Sequence, residues 1–197
     1  KDSYDQYRIN AAKSFYGDYD VKYTTFAYTQ NKEYTDTYLD SLSYETPLPY
    51  MYKGTFDSLV STTNFSVYPI RLIEGKYPKS NEVLIHKKYQ NKYKVGDTIK
   101  LYADQDSKGY KISGVYENLN NQLVNYSFYT STHSKKDAMY VYANLKDKSA
   151  IATLPVQDYE LNSDMVVAKY HLNVEYENIF KFLILFMSGC CFLFVYS

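Results

Sequence analysis

The fold of this chain is decided by four segments: Arg71-Leu-Ile-Glu-Gly-Lys-Tyr-Pro78, Asn81-Glu-Val-Leu-Ile-His86, Val95-Gly-Asp-Thr-Ile-Lys-Leu101 and Tyr110-Lys-Ile-Ser-Gly-Val-Tyr116. Short apolar or alternating runs are separated here by residues that favour turns, and this pattern is typical of β-strands joined by tight connections. The turns are predicted at Gly75 and Pro78, at Gly96-Asp97 and at Lys108-Gly109. We therefore predict three short strands, with the glycines and the proline in structural roles.

Helix and strand signals alternate irregularly in the rest of the chain. Residues 1–16 carry an apolar stripe that Gly17 would end, and Tyr19, Val21 and Tyr23 alternate as a strand. Further helices are predicted at 32–42, 86–93, 146–154 and 162–170, further strands at 50–53, 65–70, 139–143 and 157–161, and a long polar excursion at 118–136. This mixture indicates an α+β fold rather than a doubly wound parallel sheet.

Composition excludes one large class of function. The 197 residues include 22 basic and 22 acidic side chains, and no run of lysine or arginine is long enough to form a concentrated basic face. Nucleic acid is therefore not an expected partner. The 26 tyrosines are attributed mainly to an AT-rich bacterial genome and to half-buried strands, not to a carbohydrate-binding surface.

The C-terminal residues 179–197 are apolar apart from Lys181 and a few small or hydroxyl side chains. A helix of this length reaches about 28 Å, close to the thickness of a bilayer core. Lys181 would reach one interface and Tyr196 would suit the other. We expect a transmembrane helix, partial or complete; the alternative is a buried core helix, which usually keeps one polar face.

Catalytic and metal-binding motifs are not found in the sequence. His86, His133 and His171 are isolated from other ligand-type residues, and no phosphate-binding loop is present. His86 closes an apolar strand, so we interpret it as a structural histidine. Adjacent Cys190 and Cys191 are poorly placed to bond to each other. We expect no catalytic residue, no metal site and no cofactor.

The order of motifs resembles the extracytoplasmic core domain of MacB/FtsX-type ABC transporter permeases. In that family a Gly-x-x-Pro turn precedes a Glu-Val-x-Ile strand, here Gly75 to Ile85; a Val-Gly-Asp turn follows, here at Val95, and a later strand ends near Gly114-Val. The Gly-Asp-Tyr-x-Val sequence at Gly17 also matches the beginning of the family's outer domain.

This resemblance implies an extracellular domain over residues 1–178, followed by the transmembrane helix. Two lobes are expected, with a middle lobe of roughly residues 44–70 plus part of 118–134. The implied partners are a cytoplasmic ATP-binding subunit, membrane lipid, a peptide or extracellular partner protein, and a second permease copy. The domain itself would not be an enzyme, and its location would be the cell membrane of a Gram-positive bacterium. Its role would be in export, sensing or resistance involving peptides, or in the handling of lipoproteins.

Three aromatic residues of the polar excursion, Tyr126, Phe128 and Tyr129, are the candidate contacts to a peptide or partner protein, because exposed aromatics suit such interfaces. The alternative is a loop whose aromatics pack back onto the core. A second hypothesis for the whole chain is a single-pass, membrane-anchored surface binding protein without an ATPase. An anchored hydrolase is a third, although the sequence contains no local motif for one.

Overall fold

The computed structural model describes residues 2–24, 37–119, 128–152 and 159–170, and these form the α+β domain that the sequence predicts. A mixed sheet dominates the fold. Its strands are β1 Val21–Thr24, β2 Leu39–Met51, β3 Ser58–Thr62, β4 Ile70–Gly75, β5 Glu82–His86, β6 Thr98–Ala103, β7 Asp106–Asn118, β8 Phe128–Ser131, β9 Tyr140–Leu145 and β10 Tyr159–Leu161. Three helices accompany it: α1 Asp2–Tyr16, α2 Ser149–Ala152 and α3 Ser163–Tyr170.

The strands form one sheet in the order β10-β1-β9-β2-β3-β8-β5-β7-β4, and β6 pairs with β2 and β7. Most neighbours are antiparallel, whereas β3 with β8 and β5 with β7 are parallel. The long strand β2 joins two regions: its first part pairs with β9, and its later part pairs with β3 and, at Met51, with β6. We call β1, β9, β10, the first part of β2, α1 and α3 the proximal half, and the remaining strands the distal half.

The predicted first helix is confirmed. Gly17 ends it with a φ of +94°, and its amide donates to the carbonyl oxygen of Lys13 at 3.1 Å. A side chain at Gly17 would also place its Cβ 2.9 Å from Cα of Pro69. The helix packs on α3 through Ile9 and Ala12, so glycine is required at this helix end both by backbone conformation and by space.

The motif strands of residues 71–116 are also confirmed, as β5, β6 and β7, and β4 pairs along β7. Gly75 and Gly114 lie opposite each other in the β4–β7 ladder. A Cβ on Gly75 would lie 2.2 Å from the carbonyl oxygen of Ser113, and one on Gly114 would lie 2.6 Å from that of Glu74. The two glycines therefore permit a close approach of two backbones, which is the structural role predicted for them.

Several predicted elements were wrong. Residues 39–42 are not the end of a helix but the start of β2, because pairing with β9 stabilises the extended form. Residues 65–67 form a 3₁₀ turn instead of a strand, since the Asn64 side chain accepts from the amide of Ser66 at 3.0 Å. The polar excursion contains β8, and β3 was not predicted at all.

The core consists of three main clusters of buried side chains. One lies in the proximal half around Val21, Val141 and Leu145, and one in the distal half around Leu59, Ile85 and Ile112. A third cluster, rich in tyrosine, alternates with the other two along the strands and so lies on the opposite face of the sheet; its tyrosines are Tyr19, Tyr68, Tyr116, Tyr129 and Tyr142. Because one sheet contains strands of both halves, the division into two lobes and its boundaries stay a prediction.

Within the part of the chain that the structure describes, no helix is both long and apolar enough to cross a membrane. Residues 179–197 lie outside that part, so the transmembrane helix stays a prediction from the sequence.

Candidate functional site

The two ends of the described chain meet at one end of the sheet. Strand β1 begins there, β9 and β10 end there, and Val21 is paired with both Ala143 and Leu161. The side-chain amide of Asn162, just before α3, donates to the carbonyl oxygens of Gly17 at 3.3 Å and Tyr19 at 2.9 Å. The end of α1 is thereby held beside the start of α3, and the two helices pack on each other through Ala12, Met165 and Ala168.

A buried carboxylate, Asp20, lies at this meeting point and is wholly inaccessible to solvent. Its oxygens accept from the backbone amide of Leu145 at 2.9 Å, from Nζ of Lys169 at 2.9 Å and from the hydroxyl of Tyr170 at 3.0 Å. One side chain directly before β1 is therefore bonded to the end of β9 and to two consecutive residues of α3. We call Asp20, Asn144, Leu145, Lys169 and Tyr170 the Asp20 junction.

Lys169 extends the junction across the sheet. Its ammonium group also donates to Oδ1 of Asn144 at 2.8 Å, and the Asn144 side-chain nitrogen donates to the carbonyl oxygen of Asp18 at 2.9 Å and to Oγ of Ser41 at 3.2 Å. One cation of α3 thus connects β1, β9 and β2. Removing one partner of a buried ion pair leaves an uncompensated charge, which typically costs about 3 to 5 kcal/mol.

The electrostatics of the junction favour a fixed protonation state for Tyr170. Burial raises the pKa of the Tyr170 hydroxyl well above its ordinary value, and the neighbouring Asp20 carboxylate raises it further. The hydroxyl therefore keeps its proton and remains a donor to the carboxylate. Charge-assisted hydrogen bonds thus join α3 directly to the residue before β1 and to the end of β9.

The predicted contact residues lie elsewhere, and the two that the structure describes are packed onto the core, as the alternative prediction has it, instead of being exposed. Phe128 is completely buried in β8 and stacks on Tyr89 with ring centroids 5.3 Å apart. Tyr129 is buried against Tyr68 and Tyr116, and its ring centroid lies 5.2 and 4.9 Å from theirs. Parallel pairing of β8 with β3 draws both residues into the core. Tyr126 lies outside the described residues, and its partner contact stays a prediction.

The interpretation of His86 as a structural residue is confirmed. Its Nδ1 accepts from the backbone amide of Lys88 at 3.2 Å, which caps the short 3₁₀ turn that follows β5. Its ring packs edge-on against Tyr116, and burial lowers its pKa to about 4, with help from the charges of Lys88 and Lys87. His133 is exposed, and His171 lies outside the described residues.

No group of three or more histidine, cysteine or acidic side chains is placed to hold a metal ion within residues 2–24, 37–119, 128–152 and 159–170.

The sequence pointed to Asp20 only weakly. Asp20 lies between the alternating apolar positions Tyr19 and Val21. Its partner Lys169 is 149 residues away. A charge at the first position of a strand with a buried face is the signal that could have indicated an internal partner, but nothing local identifies that partner.

Comparison with known proteins finds related folds but no related sequence. No family model matches the sequence, and no curated protein matches it. One similar structure is a domain of a predicted permease protein from Porphyromonas gingivalis, with 12% identity, a TM-score of 0.45 and coverage of 70% of this chain and 75% of that one. Another is the extracellular domain of the noncanonic ABC-type transporter YknZ from Gram-positive bacteria, with 10% identity, a TM-score of 0.40 and coverage of 75% and 76%.

Proposed function

We propose that this chain is the extracellular domain of an ABC transporter permease, held between membrane helices that precede α1 and follow α3. The observation that carries the proposal is the packing of α1 on α3, with both helices fixed beside the start of β1 by Asn162 and the Asp20 junction. The motif order from Gly75 to Gly114 and the apolar residues 179–197 support it from the sequence.

The proposed mechanism is mechanical. A cytoplasmic ATP-binding subunit hydrolyses ATP and moves the membrane helices, and their motion reaches the outer domain through α1 and α3. The Asp20 junction passes this motion to β1 and β9, and β2 extends from β9 to the distal half. In this proposal the domain is not an enzyme: it uses the motion for export, sensing or resistance involving peptides, or for the handling of lipoproteins or partner proteins.

The test uses the full-length protein that contains this chain, purified from its own cells in mild detergent and assayed for ATP hydrolysis. We expect an ATP-hydrolysing subunit to copurify. Lys169→Met should change the rate of hydrolysis, because it breaks the connection between α3 and Asp20. Lys13→Met is the matched control: it removes a surface pair with Asp18, whose side chains are 56% and 28% exposed, and should leave the rate unchanged.

A full-length protein with no associated ATP hydrolysis and a single membrane segment would overturn the proposal in favour of a membrane-anchored surface binding protein. Equal rates for the two lysine variants, with ATP hydrolysis present, would keep the permease assignment but remove the Asp20 junction from its mechanism.

A further inference from the structure

The distal end of the molecule presents one fully exposed phenylalanine. Phe56 has 99% of its surface accessible, in the turn between β2 and β3. The turn is held by hydrogen bonds from the amide of Tyr52 to the carbonyl of Asp57 at 2.9 Å and from the amide of Thr55 to the carbonyl of Tyr52 at 3.1 Å, and the Thr55 hydroxyl accepts from the amide of Asp57 at 3.1 Å. The backbone that holds Phe56 in water is therefore fixed, and an exposed anchor of this kind is a common mark of an interface.

An open cleft lies beside this phenylalanine. It measures about 620 Å³ between the turn after β2 and the hairpin that joins β6 to β7. Met51 and Tyr102, paired across β2 and β6, form its apolar part and are 45% and 39% exposed. The same end of the domain thus carries both an apolar projection and an apolar recess.

The charges of the cleft are also of both signs. Lys53 lies on the turn side, and Asp104 lies on the hairpin side. Neither has a hydrogen bond or an ion pair with any residue in the described part of the chain. Asp106, by contrast, accepts from the hydroxyl of Tyr50 at 2.7 Å. The cleft therefore offers one cation and one anion whose partners are not supplied within the domain.

We propose that this distal tip binds the distal tip of a second copy of the same chain, with Phe56 of each copy in the cleft of the other. A two-fold interface requires a patch that is complementary to itself. The patch is complementary to itself in shape, because Phe56 of one copy would fill the cleft of the other. It is also complementary in charge, because Lys53 of each copy would face Asp104 of the other in two equivalent ion pairs. A contact formed by one turn and one hairpin of each copy is small, so the dimer would be weak in free solution. Anchoring both copies in one membrane would raise the dimeric fraction.

The test is photo-crosslinking of the purified 197-residue chain in detergent, with benzoyl-phenylalanine in place of Phe56. The expected product is a covalent dimer in which mass spectrometry maps the crosslink to Met51 or Tyr102 of the other copy. The matched control has the same probe at Tyr7, an exposed position on α1 in the proximal half, and should give little dimer. Circular dichroism checks that each labelled chain is folded.

Charge reversal tests whether Lys53 of one copy faces Asp104 of the other. Lys53→Glu in the chain labelled at position 56 should lower the dimer yield about fivefold or more, since two attractive pairs become two repulsive ones. Lys53→Glu combined with Asp104→Lys should restore the yield. Equal dimer yields from positions 56 and 7, crosslinks that map outside the cleft, or no restoration by the second substitution would each overturn the proposal. None of these outcomes depends on the permease function.

Discussion

The contribution of the buried Asp20–Lys169 pair to stability can be tested by substitution. Lys169→Met leaves the Asp20 carboxylate buried without a cation, and we expect the free energy of unfolding to fall by about 3 kcal/mol. Asp20→Asn combined with Lys169→Met leaves no buried charge and should be more stable than Lys169→Met alone. Urea denaturation followed by circular dichroism measures both.

The surface pair of Lys13 and Asp18 serves as the control for this prediction, and Lys13→Met should cost less than about 1 kcal/mol. If Lys13→Met and Lys169→Met lower the free energy of unfolding equally, the buried pair contributes no more to stability than the surface pair, which contradicts the prediction.

His86 gives the domain a predictable response to acid. Its pKa is about 4 when folded, below its ordinary value of 6.5, so the unfolded chain binds the proton more readily. The contribution of His86 to the free energy of unfolding is fully present above pH 6.5 and is lost as the pH falls from 6.5 to about 4. We expect this loss to be about 1 to 2 kcal/mol.

The measurement for His86 compares the wild-type chain with His86→Asn, which keeps an acceptor for the 3₁₀ cap but does not titrate. Between pH 6.5 and 4 the wild-type free energy of unfolding should fall relative to that of the variant. A constant difference between the two across this range would contradict the prediction.

At the scale of elements, the β4–β7 ladder depends on the absence of a side chain at Gly114. Gly114→Ala would place a Cβ within 2.6 Å of the Glu74 carbonyl oxygen, and we expect a loss of about 3 kcal/mol as the two backbones separate. Gly109→Ala is the control, because its Cβ would meet only a methyl group of Thr98 at 3.4 Å. It should change stability by less than about 1 kcal/mol in thermal unfolding. Equal losses for the two variants would contradict the close-approach role of Gly114.

The elements that the sequence predicted correctly are those with local signals. Gly17 after an apolar stripe predicted the end of α1, and glycine or proline before apolar runs predicted β5 to β7. The start of β2 was missed because its extended form depends on β9, some hundred residues later. β2 contains Pro47 and Pro49, and its register shifts between Pro47 and Met51, where a missing amide is tolerated.

The site was less predictable than the fold for the same reason. The residues of the Asp20 junction come from the position before β1, from β9 and from α3, and charge alone does not pair them. Phe128 and Tyr129 were predicted in a polar excursion because their neighbours are polar, but a four-residue strand is enough to bury both. Exposed aromatics do occur, at Phe56 in the turn after β2 and at Tyr102 in β6, where no functional motif marks them in the sequence.

For the whole molecule, the predicted membrane helix can be tested directly. Met187→Asp places a charge near the middle of residues 179–197, and we expect insertion of the chain to weaken by about 3 kcal/mol. The fraction of full chain that resists carbonate extraction from membranes should therefore fall. Tyr196→Lys, at the end of the segment, is the control and should remain inserted. Equal extraction of both variants would contradict a membrane-spanning segment.

The arrangement of chain ends has a consequence for mechanical load. A force that separates α1 from α3 acts on β1 and β10, which are paired from Val21 with Leu161 onward. The strands of the distal half lie outside this load path, since the chain enters and leaves them through β2 and β9. In a single-molecule pulling experiment on the two chain ends, the small proximal clamp would yield first, and the distal half would unfold in a separate, later event.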